Sequence, residues 1–178
     1  PDDLVDVSAG MIHFGARTIH DTTNYGTLSF HDVIVKSSNV GTILVGQEVG
    51  ADRLDEYTRR FGFGRRLSQD FSGEQRGLVW SPEDLNPSAL ASVSMGYQIG
   101  VTPLQMAVAT SVIANGGNLI EPHVVKALVA NGRRVKMKRE PPQRVITRAT
   151  ANTVTSIMED VVRRGTATQA RIPGYTIA

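Results

Sequence analysis

Ser37, Ser38 and Asn39 carry the side chains of this sequence that best suit acyl-transfer chemistry. Serine acyl transfer needs a nucleophile, a base, a group that passes a proton to the leaving amine, and donors that bind the oxyanion. The three residues suit only the proton-relay and substrate-orienting roles. A structural interpretation also stands, because Ser and Asn side chains often cap backbone groups where a helix ends.

The residues around this motif predict a corner between two helices. Ser29 suits the N-cap position of a helix that runs from Phe30 to about Lys36. A second helix is predicted from Val40 to a terminal Gly46 or Gly50. A tight corner of this kind would hold two hydroxyls and an amide rigidly towards a cleft.

The rest of the chain predicts a mixture of helices and a few strands. Short strands and turns are predicted over residues 4–30, and a surface loop over residues 65–84. Thr102-Pro103 gives the clearest helix start, and a charged, exposed connector is predicted over residues 136–144. Further helices are predicted over residues 51–61, 86–96 and 147–165, and a β-hairpin with strands 124–129 and 133–137 around Asn131-Gly132. Without regular βαβ alternation, this succession predicts an α+β fold.

The helix that starts at Thr102 has its own predicted buried face. Apolar or small residues recur along it at helical spacing. The residues of this stripe are Leu104, Ala107, Val108, Ser111 and Val112. We expect them to face the protein core.

Composition excludes several classes of function. The 178 residues are 40% hydrophobic and 20% charged, which is typical of a globular chain that forms one domain or part of one. The net charge of +2 gives no reason to expect a nucleic-acid partner, and the absence of cysteine excludes disulfides and thiolate chemistry. No apolar run reaches the length of a membrane span, so any targeting or anchoring segment is expected outside this sequence.

The motifs of the sequence indicate no metal site, no nucleotide-binding site and no nucleophile of the ordinary α/β-hydrolase type. The histidines are scattered without a ligand-like spacing and are interpreted as ordinary surface or core residues; they are His13, His20, His31 and His123. The glycines of residues 62–64 and 96–100 lack the spacing of a phosphate-binding loop. No Gly-x-Ser-x-Gly nucleophile elbow occurs. We therefore discard nucleotide binding and interpret the histidines without a metal role.

Several short motifs follow one another along nearly the whole chain. They are Ser37-Ser38-Asn39-Val40-Gly41, Phe61-Gly62-Phe63-Gly64, Gly73-Glu74, Ser94-Met95-Gly96-Tyr97, Val101-Thr102-Pro103-Leu104-Gln105, Ile113-Ala114-Asn115-Gly116-Gly117 and Gly165-Thr166-Ala167. In order and approximate spacing, the set closely resembles the transpeptidase domain of class B penicillin-binding proteins. Each motif is weak evidence by itself, but the ordered set is specific.

The resemblance implies roles for individual residues. Ser37 would be the hydroxyl that relays a proton between the lysine network and the leaving group. Asn39 would hydrogen-bond the backbone of a bound stem peptide or the side chain of a β-lactam. Tyr97 sits where the family has a residue that lines the cleft wall beside the nucleophile, although an ordinary packed tyrosine fits equally well. Lys36 matches no family role and is interpreted as a solvated helix end.

Two of the family's catalytic motifs do not occur in the chain. No serine is followed three residues later by a lysine, and no lysine is followed by Thr-Gly or Ser-Gly. In the family, the serine of Ser-x-x-Lys is the nucleophile, and Lys-Thr-Gly lies on an edge strand. We therefore expect residues 1–178 to be the central part of one transpeptidase domain, inactive alone, with the two motifs in the flanking sequence.

The resemblance also implies a fold and a biological role, and it implies no metal or organic cofactor. The fold would be a partial serine β-lactamase/transpeptidase-like fold, mostly the helical subdomain with a few antiparallel strands. The parent protein would transfer acyl groups from D-Ala-D-Ala stem peptides in peptidoglycan synthesis and would bind β-lactams. It would act on the extracytoplasmic face of the membrane, held by an N-terminal anchor, with divisome or elongasome proteins as partners. The alternative is a non-catalytic β-lactam-sensing or scaffold module of the same fold, and a β-lactamase is a weaker alternative.

Overall fold

The computed structural model describes all of residues 1–178, which divide into two compact units. The first unit comprises residues 1–56, 80–99 and 152–178, and the second comprises residues 57–79 and 100–151. The helices are α1 (Phe30–Lys36), α2 (Asn39–Val49), α3 (Ala51–Arg60), α4 (Pro87–Ser94), α5 (Pro103–Ala114) and α6 (Arg148–Arg164). The strands are β1 (Leu4–Asp6), β2 (Met11–Phe14), β3 (Arg17–His20), β4 (Thr27–Ser29), β5 (Asn118–Leu119), β6 (Ala127–Ala130), β7 (Arg133–Lys136) and β8 (Gln143–Arg144). No helix combines the length and the apolar character that a membrane span requires.

The first unit packs two antiparallel strand pairs against helices α1, α2 and α4. Strand β1 pairs with β4, and β2 pairs with β3. One buried cluster joins Val7 and Leu28 to Val33 of α1 and Val40 of α2. A second cluster, which includes Ile43 of α2, joins β3 to α4. Helix α2 is therefore held from several sides.

Gly46 lets helix α4 approach α2 closely. A Cβ atom at Gly46 would overlap the side chain of Ser94, so the two helices could not keep this separation with a larger residue there. Because interiors are close-packed, such a contact fixes the relative position of the two helices.

The second unit is built around α5. Its core cluster consists of Leu67, Val108, Val112, Leu119 and Val145. The predicted start of α5 is confirmed, since Thr102 and Gln105 form a complete capping box with Pro103 in the first turn. Strand β5 pairs with β8, and β6 pairs with β7 in a hairpin of its own.

The predicted buried face of α5 is wrong in part. Ala107 and Ser111 are exposed, whereas Gln105 is completely buried. The Gln105 amide donates hydrogen bonds of 2.9 Å to the backbone carbonyls of both Arg65 and Arg76. A buried amide with satisfied hydrogen bonds can occupy a core-facing position, so a pattern based on apolar residues misplaced the face.

The other predicted helices and strands are confirmed, with shifts at their ends, whereas the predicted surface loop over residues 65–84 is buried in part. The hairpin turns at Asn131 and Gly132, whose φ angles of 51° and 71° are those of a type I′ turn, although its first strand starts only at Ala127. The connector over residues 136–144 is not uniformly exposed. Strand β8 lies within it, and the half-buried Arg139 pairs with Asp70 at 3.0 Å. Long-range partners that no local pattern shows draw this arginine inwards.

Candidate functional site

The corner between α1 and α2 is a turn of two residues. Ser37 closes α1 in the left-handed conformation, with φ 54° and ψ 45°, and Ser38 is extended and caps α2. The backbone N–H groups of Ser37 and Ser38 donate to the carbonyls of Ile34 and Val33, at 3.1 and 3.0 Å. These bonds satisfy helix-end carbonyls that would otherwise be unpaired. Both helix ends are therefore capped within the corner, in agreement with the structural interpretation of the motif.

Ser38 is completely buried and serves the structure of the corner. Its Oγ accepts from the backbone N–H of Gly41 at 2.9 Å and donates to Oδ2 of Asp21 at 2.6 Å. The other carboxylate oxygen of Asp21 accepts from the backbone N–H of Val40 at 3.1 Å. Asp21 thus binds the first turn of α2, where the helix dipole favours a negative charge.

The sequence interpretation missed the part played by Asp21. Seventeen positions separate it from Ser38, and nothing in the local pattern connects the two. Its own backbone N–H donates to the carbonyl of Gly10 at 3.0 Å, which fixes the start of its turn. Only the three-dimensional contact shows that Asp21 positions the motif.

Ser37 presents its hydroxyl at the surface. Its Oγ lies 3.4 Å from Oγ1 of Thr166, which is too long for a strong hydrogen bond between hydroxyls. Thr166 lies in one of the motifs that carry the family resemblance, but no role was predicted for it. The Ser37 hydroxyl is therefore held loosely and remains available to a ligand.

Asn39 lies beside Ser37 as the first residue of α2. Its Nδ2 donates to the backbone carbonyl of His20 at 3.2 Å, and its side chain is half-buried. This bond uses one of the amide's two N–H groups and leaves its oxygen for another partner. Asn39 is thus oriented by the end of β3 and can still bind a ligand.

Ion pairs hold the end of α6 against α1. Arg164 donates to Asp32 at 2.7 Å and to Asp160 at 3.1 Å, while Nε2 of His31 lies 3.1 Å from Asp160. The hydrogen bond from Arg164 keeps the pKa of Asp160 below its ordinary value of 3.8. Because these side chains are partly exposed, the pairs contribute more to orientation than to stability. They position Thr166 next to Ser37.

Tyr97 lies on the loop that follows α4. It is 64% exposed, and its backbone N–H donates to the carbonyl of Ser92 at 2.9 Å. Gln98, the next residue, has a φ of 58°, and its carbonyl accepts from the Trp80 indole at 2.6 Å. The structure brings Ser37 and Asn39 together, but no hydrogen bond joins Tyr97 to either of them.

The chemistry open to this corner is proton relay and ligand orientation. Ser38 and Asp21 have the separation of a nucleophile and a base, but Ser38 is inaccessible to a substrate. The accessible Ser37 hydroxyl has no titratable side chain as a hydrogen-bond partner. No group of three or more His, Asp or Glu side chains is placed to hold a metal ion.

Comparisons with known proteins agree on one family. The family model described as the penicillin binding protein transpeptidase domain matches residues 1–178. The chain is 35% identical over 188 residues to the penicillin-binding protein PbpB of Mycolicibacterium smegmatis, covering 100% of this chain and 29% of that protein. It is 34% identical over 174 residues to PbpC of Pseudomonas aeruginosa, a probable peptidoglycan D,D-transpeptidase, covering 98% of this chain and 29% of that protein.

Solved structures give the same result. Penicillin-binding protein 3 of Mycobacterium tuberculosis, complexed with aztreonam, has a TM-score of 0.88 at 36% identity over 98% of this chain and 41% of that chain. The chain spans less than a third of the length of the curated relatives it matches. The α+β, transpeptidase-like fold and the family resemblance predicted from the motifs are confirmed. The chain belongs to the penicillin-binding protein transpeptidase family.

Proposed function

We propose that residues 1–178 are the central part of one transpeptidase domain, whose parent protein is a peptidoglycan D,D-transpeptidase. The observation that carries the proposal is the corner at Ser37 and Asn39. An accessible hydroxyl and a half-buried amide lie side by side there, on a turn fixed by the buried Ser38–Asp21 contact. The family match over the whole chain and the names of the relatives support the same reaction.

The proposed reaction has two acyl-transfer steps. A serine supplied by a Ser-x-x-Lys motif outside residues 1–178 attacks the carbonyl of the penultimate D-Ala, and the terminal D-Ala leaves as an amine. An amine of a neighbouring peptidoglycan strand then attacks the ester and loses a proton. Each step needs a proton to move between a nitrogen and the base.

Ser37 carries that proton in the proposal. A hydroxyl can donate its own hydrogen to the leaving nitrogen while it accepts another from the protonated base. Asn39 orients the substrate through its free amide oxygen and second N–H, which match the N–H and C=O groups of a peptide or β-lactam amide. Tyr97 lines the cleft wall and provides an aromatic surface for the substrate side chain.

The proposal includes the setting of the parent protein. In this proposal the parent protein binds β-lactams as substrate analogues and assembles with divisome or elongasome proteins. An N-terminal anchor attaches it to the membrane, and its catalytic domain acts on the extracytoplasmic side. The names of the relatives support β-lactam binding, since one is a penicillin-binding protein complexed with aztreonam. The organic chemistry needs no cofactor.

The test measures acylation of the parent protein, with its native flanking sequence, by a fluorescent penicillin. We expect Ser37→Ala and Asn39→Ala each to lower the acylation rate constant by about 100-fold, the lower range for a lost proton-transfer or orienting group. The control is Ser72→Ala, because Ser72 is an exposed serine in a surface loop. Thermal unfolding of all variants checks that the fold is retained.

Two results would overturn the proposal. Wild-type acylation rates in both corner variants would remove Ser37 and Asn39 from the site. A wild-type protein that binds penicillin reversibly, without a covalent adduct by mass spectrometry, would instead be the non-catalytic sensor or scaffold module.

A further inference from the structure

The β6–β7 hairpin concentrates positive charge. Residues 122–138 contain no acidic side chain, although the chain has 17 of them. The same segment holds five cationic side chains, all of which are exposed: Lys126, Arg133, Arg134, Lys136 and Lys138. None of these five forms an ion pair within the chain. The hairpin is therefore strongly cationic although the whole chain is nearly neutral.

The base of the hairpin is rigid. Asp70 accepts the backbone N–H groups of Val124 and Val125, both at 2.9 Å, and pairs with Arg139 at 3.0 Å through each of its oxygens. Glu121 also contacts Arg139, at 3.3 Å. The guanidinium of Arg139 keeps the pKa of Asp70 well below its ordinary value. The charge of Arg139 is thus neutralised at the base, and the unpaired cations project beyond it.

Both outer edges of the hairpin are open, because β6 and β7 pair only with each other. Ala130 and Arg133 flank the two-residue turn, so they form a hydrogen-bonded pair, and the alternation places Arg134 opposite Val129 in a non-hydrogen-bonded pair. The backbone N–H and C=O groups of Arg134 and Lys136 therefore point away from β6. They can accept a further strand.

We propose that β7 is a docking edge for an extended acidic segment of a partner protein, which adds to the hairpin as a third strand. Cations along an edge strand disfavour pairing with neutral or basic strands, and an acidic strand relieves that penalty. Backbone hydrogen bonds would provide affinity and the alternating acidic side chains specificity, as in other cases of strand addition. This proposal is independent of the transpeptidase reaction.

The distribution of apolar residues favours a peptide over a lipid surface. Leu128 and Val135 are opposite each other on one face of the hairpin, at 54% and 56% exposure, while Val129 lies on the other face. The turn itself is Asn131-Gly132, followed by Arg133. The face that carries Leu128 and Val135 holds only these two large apolar side chains and also carries Arg133, so it offers little apolar surface for insertion into a membrane. A strand beside β7 can instead contact both faces.

The test uses the purified protein and a fluorescein-labelled octapeptide of alternating glutamate and valine, with binding measured by fluorescence anisotropy at low salt. We expect saturable binding that weakens with added salt and is absent for the glutamine–valine peptide. The double variant Arg134→Glu/Lys136→Glu should lose at least 10-fold in affinity. The control Arg53→Glu/Arg76→Glu makes the same charge change at exposed arginines elsewhere and should change affinity less than 2-fold.

A second pair of variants separates strand addition from simple charge attraction. Arg134→Pro removes the outward N–H without breaking the β6–β7 ladder, and Arg134→Ala removes the same charge but keeps the N–H. Strand addition predicts that the proline variant binds at least 5-fold more weakly than the alanine variant. Equal affinities, equal losses in the two charge-reversal variants, or binding to anionic phosphatidylglycerol vesicles without binding to the peptide would each overturn the proposal.

Discussion

Removing the Asp21 carboxylate should loosen the corner that carries Ser37 and Asn39. Asp21→Ala deprives two buried donors of their acceptor: the Ser38 hydroxyl, bonded at 2.6 Å, and the Val40 N–H, bonded at 3.1 Å. A hydrogen bond to a charged group contributes about 1.5–3 kcal/mol, and an unpaired buried donor costs about 1–3 kcal/mol. Both bonds share one carboxylate, and the Ser38 hydroxyl can rotate to another partner. We therefore expect Asp21→Ala to lower the free energy of unfolding by about 2–4 kcal/mol.

The assay is equilibrium unfolding in urea, followed by fluorescence of the single Trp80. The control is Asp3→Ala, because Asp3 is an exposed aspartate whose side chain makes no hydrogen bond in the structure. Asp21→Asn keeps an acceptor for the Val40 N–H but offers the Ser38 hydroxyl no carboxylate. Its free energy of unfolding should therefore fall by about half as much as that of Asp21→Ala.

A double-mutant cycle tests whether the loss comes from the Asp21–Ser38 contact. Ser38→Ala should be destabilising by itself because it removes the N-cap of α2, a loss of about 1 kcal/mol. The double variant should lose less than the sum of the single losses, by about 1–2 kcal/mol, because the contact is broken only once. A loss below about 0.5 kcal/mol for Asp21→Ala, the range of ordinary surface substitutions, would refute the reasoning.

Two other predictions concern packing and pH. Gly46→Ala should lower the free energy of unfolding by about 1–3 kcal/mol despite the better helix propensity of alanine, because the new Cβ overlaps the side chain of Ser94. Urea unfolding measures the decrease, and adding Ser94→Gly to the Gly46→Ala variant should restore the stability. Asp70→Asn should lower the melting temperature at pH 7. The folded-state pKa of Asp70 lies well below its ordinary value of 3.8, so its stabilisation is complete above about pH 4 and declines as the pH falls towards the folded-state pKa. The difference in melting temperature between the two proteins should therefore narrow as the pH falls from about 4 to about 2.5, and a constant difference would contradict this.

Local signals in the sequence predicted the helices and strands well. They did not predict the long-range polar contacts. The starts of α1, α4 and α5 were predicted because their caps, Ser29, Asn86 and Thr102, act within three residues of themselves. The capping role of Gln105 was predicted, but its burial and the inward position of Arg139 were missed, because the partners responsible lie far away in the chain. Nothing in the spacing of residues reports such contacts.

The candidate site shows the same limit. Ser37 and Ser38 are neighbouring residues of the same type, so the sequence gives no reason to distinguish them. Only the structure shows that the Ser37 hydroxyl is accessible and the Ser38 hydroxyl is buried. The separation depends on Asp21, which binds Ser38 and leaves Ser37 free. Family resemblance selected Ser37 for the relay role, and the structure supplies a physical reason why its neighbour cannot replace it.

Because Ser37 adopts the left-handed conformation, the substitution that best preserves its hydroxyl is not the one that best preserves the fold. Threonine keeps the hydroxyl, but its β-branched side chain is poorly tolerated at a φ of 54°. Glycine suits the backbone and removes the hydroxyl entirely. Ser37→Thr should therefore destabilise the fold, whereas Ser37→Gly should keep the fold and remove only the hydroxyl proposed to relay the proton. Among hydroxyl-bearing residues, serine alone is small enough to meet both demands, which narrows the evolutionary routes open to this position.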